Sequence, residues 1–117
     1  ALVSSSSRPL MSAVLAAIGS EWFDVTISAD DVERHKPDPL PYQRACTELG
    51  VDPAWSLAIE DSPTGAASAS SAGAYVVAVQ HLAAIESGPR CTVVDTLSGI
   101  GVAELAAMFT PPSGPSG

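Results

Sequence analysis

The chain has 117 residues, enough for one domain that buries roughly two-thirds of the surface its unfolded form would expose. Apolar residues make up 46% and aromatics 5%, so Ala, Val, Leu and Ile are expected to fill the core. With 5 basic against 13 acidic residues the formal charge is -8, which argues against nucleic acid and anionic membranes as partners. It leaves room for a phosphorylated ligand, because one bound cation and one well-aimed lysine can reverse the local field. Cys46 and Cys91 match no metal or redox spacing, and two reduced, packed thiols in a cytoplasmic protein are expected. No apolar run approaches a membrane span, and no signal peptide is visible.

In chain order, Ala1 to Val3 reads as the end of a buried strand and Ser4 to Ser7 as the loop after it. A strand normally has about 5–6 residues, so the expectation is that this chain is the C-terminal part of something longer. Leu10, Val14, Leu15 and Ile18 recur at helical spacing before Gly19. Phe23 to Ser28 is rich in β-branched residues and predicts a second strand. A polar loop from Ala29 carries Lys36-Pro37-Asp38-Pro39 and leads into a helix from about Pro41 to Leu49.

Leu57 to Ile59 predicts a third strand, Pro63 to Ala72 a helix of small residues stopped by Gly73, and Tyr75 to Val79 a fourth strand. Cys91 to Val94 and Val102 to Met108 predict a weaker strand and a last helix. The ordered domain is taken as residues 1–108, with 109–117 as a disordered tail whose last eight residues, from Thr110, are almost all Pro, Ser or Gly. Strands alternating with helices, with near-continuous apolar strand cores, predict an α/β fold with a parallel sheet covered on both faces.

Three polar features fall beyond the C-terminal ends of different strands, where open α/β sheets collect their ligands. Ser4-Ser5-Ser6-Ser7 precedes a helix, and hydroxyls with free backbone N–H groups bind phosphate there; a plain helix-capping loop is the other reading. Lys36 is the lone lysine, its side chain aimed by the prolines that follow; a solvated loop lysine is the alternative. Glu60-Asp61 offers two hard oxygen donors suited to Mg²⁺, although Asp61 could instead cap the helix that begins at Pro63. His35 reads as a surface neighbour, and His81 has no evident partner. Together, a hydroxyl and amides to hold a phosphoryl group, a lysine to neutralise it and acids to anchor a cation are the parts phosphoryl transfer needs.

These stretches resemble the motifs of the haloacid dehalogenase superfamily, in its phosphatase and β-phosphoglucomutase-like branch. Ala1-Leu2-Val3-Ser4-Ser5-Ser6 resembles the second motif, with the phosphate-binding hydroxyl at Ser4 and Ser5 beside it. Lys36-Pro37-Asp38-Pro39 resembles the third, and Ile59-Glu60-Asp61-Ser62-Pro63-Thr64-Gly65 the fourth, whose acids hold Mg²⁺. The resemblance runs from Ala1 to about Val79, with an extension to Met108.

It implies a three-layer Rossmann-like parallel sheet and a Mg²⁺-dependent phosphatase or phosphomutase acting on a small phosphorylated metabolite, such as a sugar phosphate. The first motif, which supplies an attacking Asp, has no counterpart here, and neither Asp24 nor Asp30-Asp31 replaces it. The sheet is therefore expected to lack its central first strand, the partner being the missing N-terminal half of the same domain. Strands on either side of such a gap, roughly 9–10 Å apart, cannot bond to each other. They must collapse together, recruit another chain or stay open, and the isolated chain is expected to fold poorly or associate. A non-catalytic module binding phosphate or a partner is the competing reading, and a receiver-like signalling domain a third, disfavoured because Lys36 precedes the acids. An in-frame Asp-x-Asp-Gly strand encoded upstream of Ala1 would support the enzyme.

Overall fold

The computed structural model describes residues 1–80 and 84–112, and over these the expected alternation of strands and helices is present. The strands are β1 (Leu2–Val3), β2 (Thr26–Ile27), β3 (Leu57–Glu60), β4 (Tyr75–Val79) and β5 (Cys91–Val94). The helices are α1 (Arg8–Ile18), α2 (Leu40–Leu49), α3 (Pro63–Ala72) and α4 (Val102–Met108). His81 and the last five residues of the tail lie outside the described residues. Phe109, counted with the tail on composition, caps α4 and packs against Trp55 and Tyr75. Among the described residues, no helix is long and apolar enough to cross a membrane.

Every ladder is parallel, but there are two of them: β1 pairs with β2, and β3 with β4 and then β5. No described strand lies between β1 and β3, so the sheet stays open there instead of collapsing. The edges of this lane can be read from the bonding. Leu2 N–H donates to Val25 O and Ser4 N–H to Ile27 O, so these residues face β2 and Val3 faces the lane. Tyr75 N–H donates to Ser56 O, so Ala58 and Glu60 face β4 while Leu57 and Ile59 face the lane. Cavities of about 770 and 270 Å³ open onto it and share Leu2, Val3 and Ile59.

The predicted second strand, Phe23 to Ser28, is shorter than expected. A 3₁₀ turn at Ser20–Trp22 holds the Phe23 N–H on Ser20 O, and only Thr26 and Ile27 reach β1. The core also differs in composition. Ala58, Ala66, Ala69, Ala74, Val76 and Ala78 form the main cluster, with Leu15 and Ile27 buried elsewhere. Leu10, Val14, Ile18 and Ile59 are all more than 40% exposed, because the faces they occupy carry no covering element among the described residues. Both cysteines are free thiols, Cys46 buried and Cys91 partly so.

Helix α2 touches β1 and β2 as well as α3, so it spans the two ladders that share no backbone bonds. Its start is fixed by Asp38, whose carboxylate accepts the Leu40 N–H, and the buried Ser68 hydroxyl of α3 donates to Asp38 O at 2.6 Å. The 36–39 loop is thereby tied to the helix behind β3, with the Lys36–Pro37 peptide bond cis. Gly73 closes α3 at φ 101°, a left-handed conformation that a residue with a Cβ adopts at a cost. At the opposite end of the strands from the serines and acids, Arg90 donates to Gly73 O and Ala54 O and lies over Tyr75 and Phe109.

Asp30 and Asp31 have structural work. Asp30 accepts the Arg8 N–H at 2.7 Å, while Asp31 pairs with the Arg8 guanidinium and accepts both the N–H and the hydroxyl of Ser28. Chiefly the Ser28 N–H, followed by the Ser28 hydroxyl and Arg8, holds the Asp31 carboxyl below its ordinary value of 3.8. A carboxyl depressed on folding stabilises the fold fully above its unfolded value and loses that contribution as pH falls through its folded value. Protection of α1 and β2 amides from hydrogen exchange is therefore expected to fall below about pH 4, earlier than that of β3 to β5. Uniform loss across both ladders, or the same pH dependence in Asp31→Asn, would contradict this anchor.

Candidate functional site

Ser4 lies just past β1, Glu60 ends β3, and Lys36 arrives on the loop before α2, so three separate stretches meet at the C-terminal ends of the strands. Ser4, Ser5, Ser6, Lys36, Glu60 and Asp61 line the 770 Å³ cavity together, with Thr64 and Gly65 of α3 on its wall. Ser4, Ser5, Lys36, Glu60 and Asp61, expected to form one site, are thus brought to one place.

The serine run divides its tasks. Ser7 caps α1, its hydroxyl accepting the Leu10 N–H at 3.4 Å, and Ser4 Oγ accepts the Ser6 N–H at 3.0 Å. The hydroxyl that caps the helix is therefore not the one at the strand end. The Ser4 proton remains for donation into the cavity.

Lys36 crosses the lane. Its ammonium donates to Val3 O at 3.0 Å, on the edge of β1, and to Glu60 Oε2 at 2.6 Å, at the end of β3. The pair is well buried, with side-chain exposures of 10% and 7%. An ammonium has three protons. Two are used by protein atoms, and the third is left for the cavity.

Glu60, expected to hold a metal beside Asp61, is bonded to protein groups on two elements. Its Oε2 accepts from Lys36 and also from the Tyr42 hydroxyl of α2. Its Oε1 rests against the first turn of α3, where a Cβ built on Gly65 would lie 1.9 Å away. Burial first, then the hydrogen bond and charge of Glu60, push the Tyr42 hydroxyl far above the usual tyrosine range, so it stays a donor.

Asp61 is the exposed neighbour and enters none of the ion pairs among the described residues. It does not cap α3 either. Ser62 does, in an extended conformation at φ -130° ψ 153°, accepting the Gly65 N–H at 3.0 Å. Capping by Ser62 leaves both Asp61 oxygens open.

Among the described residues no three His, Cys, Asp or Glu side chains gather as a metal cage. The donor set suits Mg²⁺ all the same, since that ion keeps several waters and is bound through one or two carboxylates plus substrate phosphate. Glu60 and Asp61 are the two carboxylates that line the cavity. His35 stays on the surface, its Nε2 2.9 Å from Ala29 O. Tyr42 was missed by motif reading, and Gly65 was read only as the end of the fourth motif, with no role of its own. A glycine within a predicted helix is a local signal of close approach; the tyrosine had none.

A sequence profile described as haloacid dehalogenase-like hydrolase matches residues 1–79. The chain is 34% identical over 112 residues to a plasmid-borne phosphoglycolate phosphatase of Cupriavidus necator, covering 95% of this chain and 48% of that one. It is 40% identical over 77 residues to validoxylamine A 7'-phosphate phosphatase of Streptomyces hygroscopicus subsp. limoneus, covering 65% of this chain and 36% of that one. The crystal structure of CbbY from Rhodobacter sphaeroides, in complex with xylulose-(1,5)bisphosphate, superposes with a TM-score of 0.73 at 28% identity. That match covers 88% of this chain and 49% of the other. The chain therefore spans about half the length, or less, of the proteins it matches.

Gly65→Ala tests the geometry directly. In an open helix position alanine would gain about 1 kcal/mol over glycine. Here the methyl would strike the Glu60 carboxylate, so a net loss of about 1–3 kcal/mol in urea unfolding is expected. A stabilised Gly65→Ala chain would mean that Glu60 does not lie over α3.

Proposed function

Because the chain belongs to the haloacid dehalogenase-like hydrolases, we propose that it is the C-terminal half of the catalytic core of a Mg²⁺-dependent phosphatase or phosphomutase. Its substrate class is a small phosphorylated metabolite, such as a sugar phosphate. The phosphorylated compounds in the names of its relatives, phosphoglycolate and validoxylamine A 7'-phosphate, support that class, as does the bisphosphate bound by the related CbbY. Two free thiols suit a reducing compartment, and we place the protein in the cytoplasm.

The observation that carries this reading is that Ser4, Ser5, Lys36, Glu60 and Asp61, drawn from three stretches, line one cavity. Ser4 Oγ and the serine-loop amides hold the phosphoryl oxygens. Lys36 sets its remaining proton against the charge that builds on them, a contribution made by position and needing no proton transfer. Asp61 would hold Mg²⁺, which supplies a template and Lewis acid for the phosphoryl group. Glu60 acts one step back, through Lys36.

The attacking carboxylate lies outside these residues. An Asp at the end of a strand filling the lane between β1 and β3 would attack phosphorus beside Lys36 and form an aspartyl-phosphate. The bond from phosphorus to the substrate oxygen breaks as it does so, and that oxygen leaves as an alcohol, protonated by an acid that also lies outside these residues. Water then releases phosphate in a phosphatase; return of the group to a sugar makes a mutase. The lane supports this because Val3, Leu57 and Ile59 turn their backbone groups into it from both sides.

A non-catalytic phosphate- or partner-binding module is the second reading, favoured by the small number of acids gathered at the site. In the enzyme containing this chain, Asp61→Asn is expected to abolish Mg²⁺-dependent hydrolysis of a sugar phosphate while circular dichroism stays unchanged. Retained turnover would remove Asp61 from the metal's shell. The 117 residues alone are expected to show no turnover.

A further inference from the structure

We infer that Tyr42 is a positioning residue for Lys36, acting through Glu60: its hydroxyl locks the carboxylate onto the lysine. The functional consequence rests on the phosphoryl-site reading above; the geometry does not.

A lysine has a flexible four-carbon stem, and holding its end still costs rotamer entropy that one hydrogen bond does not offset. Here the end is held from three directions. Val3 O accepts one proton, Glu60 Oε2 accepts another, and the Tyr42 ring presents its face, with its centroid 5.3 Å from Nζ. A glutamate carboxylate would ordinarily rotate about its stem. Tyr42 prevents this from one side by donating to the same oxygen that Lys36 uses. Gly65 prevents it from the other, where Oε1 has no room to turn. One tyrosine thus contacts both members of the pair, the carboxylate through its hydroxyl and the ammonium through its ring. The remaining Lys36 proton is aimed by this clamp at the cavity that Ser4 and Asp61 also line.

Lys36 is the sole lysine in the chain, which makes the claim directly measurable. With ¹³C,¹⁵N-lysine incorporated into the enzyme containing this chain, the Lys36 signal is the one that Lys36→Arg removes. In the unaltered chain the Lys36 ε-methylene is expected to be ordered, shifted upfield by the ring and in nuclear Overhauser contact with Tyr42. A mobile, unshifted methylene would overturn the proposal whether or not any variant folds. Tyr42→Phe keeps the ring and deletes the hydroxyl. It is expected to speed exchange of the Lys36 ammonium with water by about tenfold, the worth of one hydrogen bond to a charged group, and to lower the methylene order parameter. Tyr75→Phe removes a distant hydroxyl, bonded to Thr92, and is expected to change neither quantity. Equal effects from both substitutions, or none from Tyr42→Phe, would contradict the assignment. The measurement uses neither phosphate nor Mg²⁺, so it can fail while the proposed reaction stands, and the reverse.

Discussion

Between β1 and β3 no ladder bonds run, and the contact that ties the two strand ends together at the site is the side chain of Lys36, bonded to Val3 O on one edge and to Glu60 on the other. The site depends on this crossing. Were the pair broken by removing one partner, a charge would be left buried and uncompensated, at a cost of about 3–5 kcal/mol. Helix α2 would then be left to hold the serines of one ladder opposite the acids of the other. The pair is thus at once a brace across an open sheet and the cationic wall of the cavity. Keeping it in register demands the other odd features nearby: a glycine in the first turn of α3, a tyrosine in the first turn of α2, and a loop pinned by Ser68.

The acidic doublet shows how one strand end can give neighbouring carboxylates different work. Glu60, facing β4 and 8% exposed, is saturated by Lys36 and Tyr42. Asp61, one residue later and past the last ladder position, is exposed and excused from capping by Ser62. Burial and hydrogen bonding, more than residue type, separate a carboxylate saturated by protein groups from one left open to the cavity.

Much of this was legible in the residues. The boundaries of α3, β4, β5 and α4 follow from small-residue, β-branched and capping patterns that are local, and the folded elements coincide with them. The meeting of Ser4, Lys36 and Asp61 was legible because ligands gather at strand ends in parallel sheets. Three things were not. The choice of Ser62 over Asp61 as cap is settled by backbone angles just before Pro63, and both residue types are good caps. The bond from Tyr42 to Glu60 joins residues 18 apart, a contact no periodicity encodes. The exposure of Leu10, Val14, Ile18 and Ile59 was hidden as well, because an apolar pattern announces a face to be covered without saying what covers it.

The claim underlying all of this is that one phosphoryl group sees the serine loop, the lysine and the aspartate at once. Titration of the ¹⁵N-labelled enzyme containing this chain with inorganic phosphate in the presence of Mg²⁺ tests it most directly. The amides of Ser4, Ser5 and Asp61 and the ammonium of Lys36 are predicted to shift together and saturate with a single dissociation constant. Shifts confined to one of the three stretches, or following separate constants, would show that they do not share a ligand.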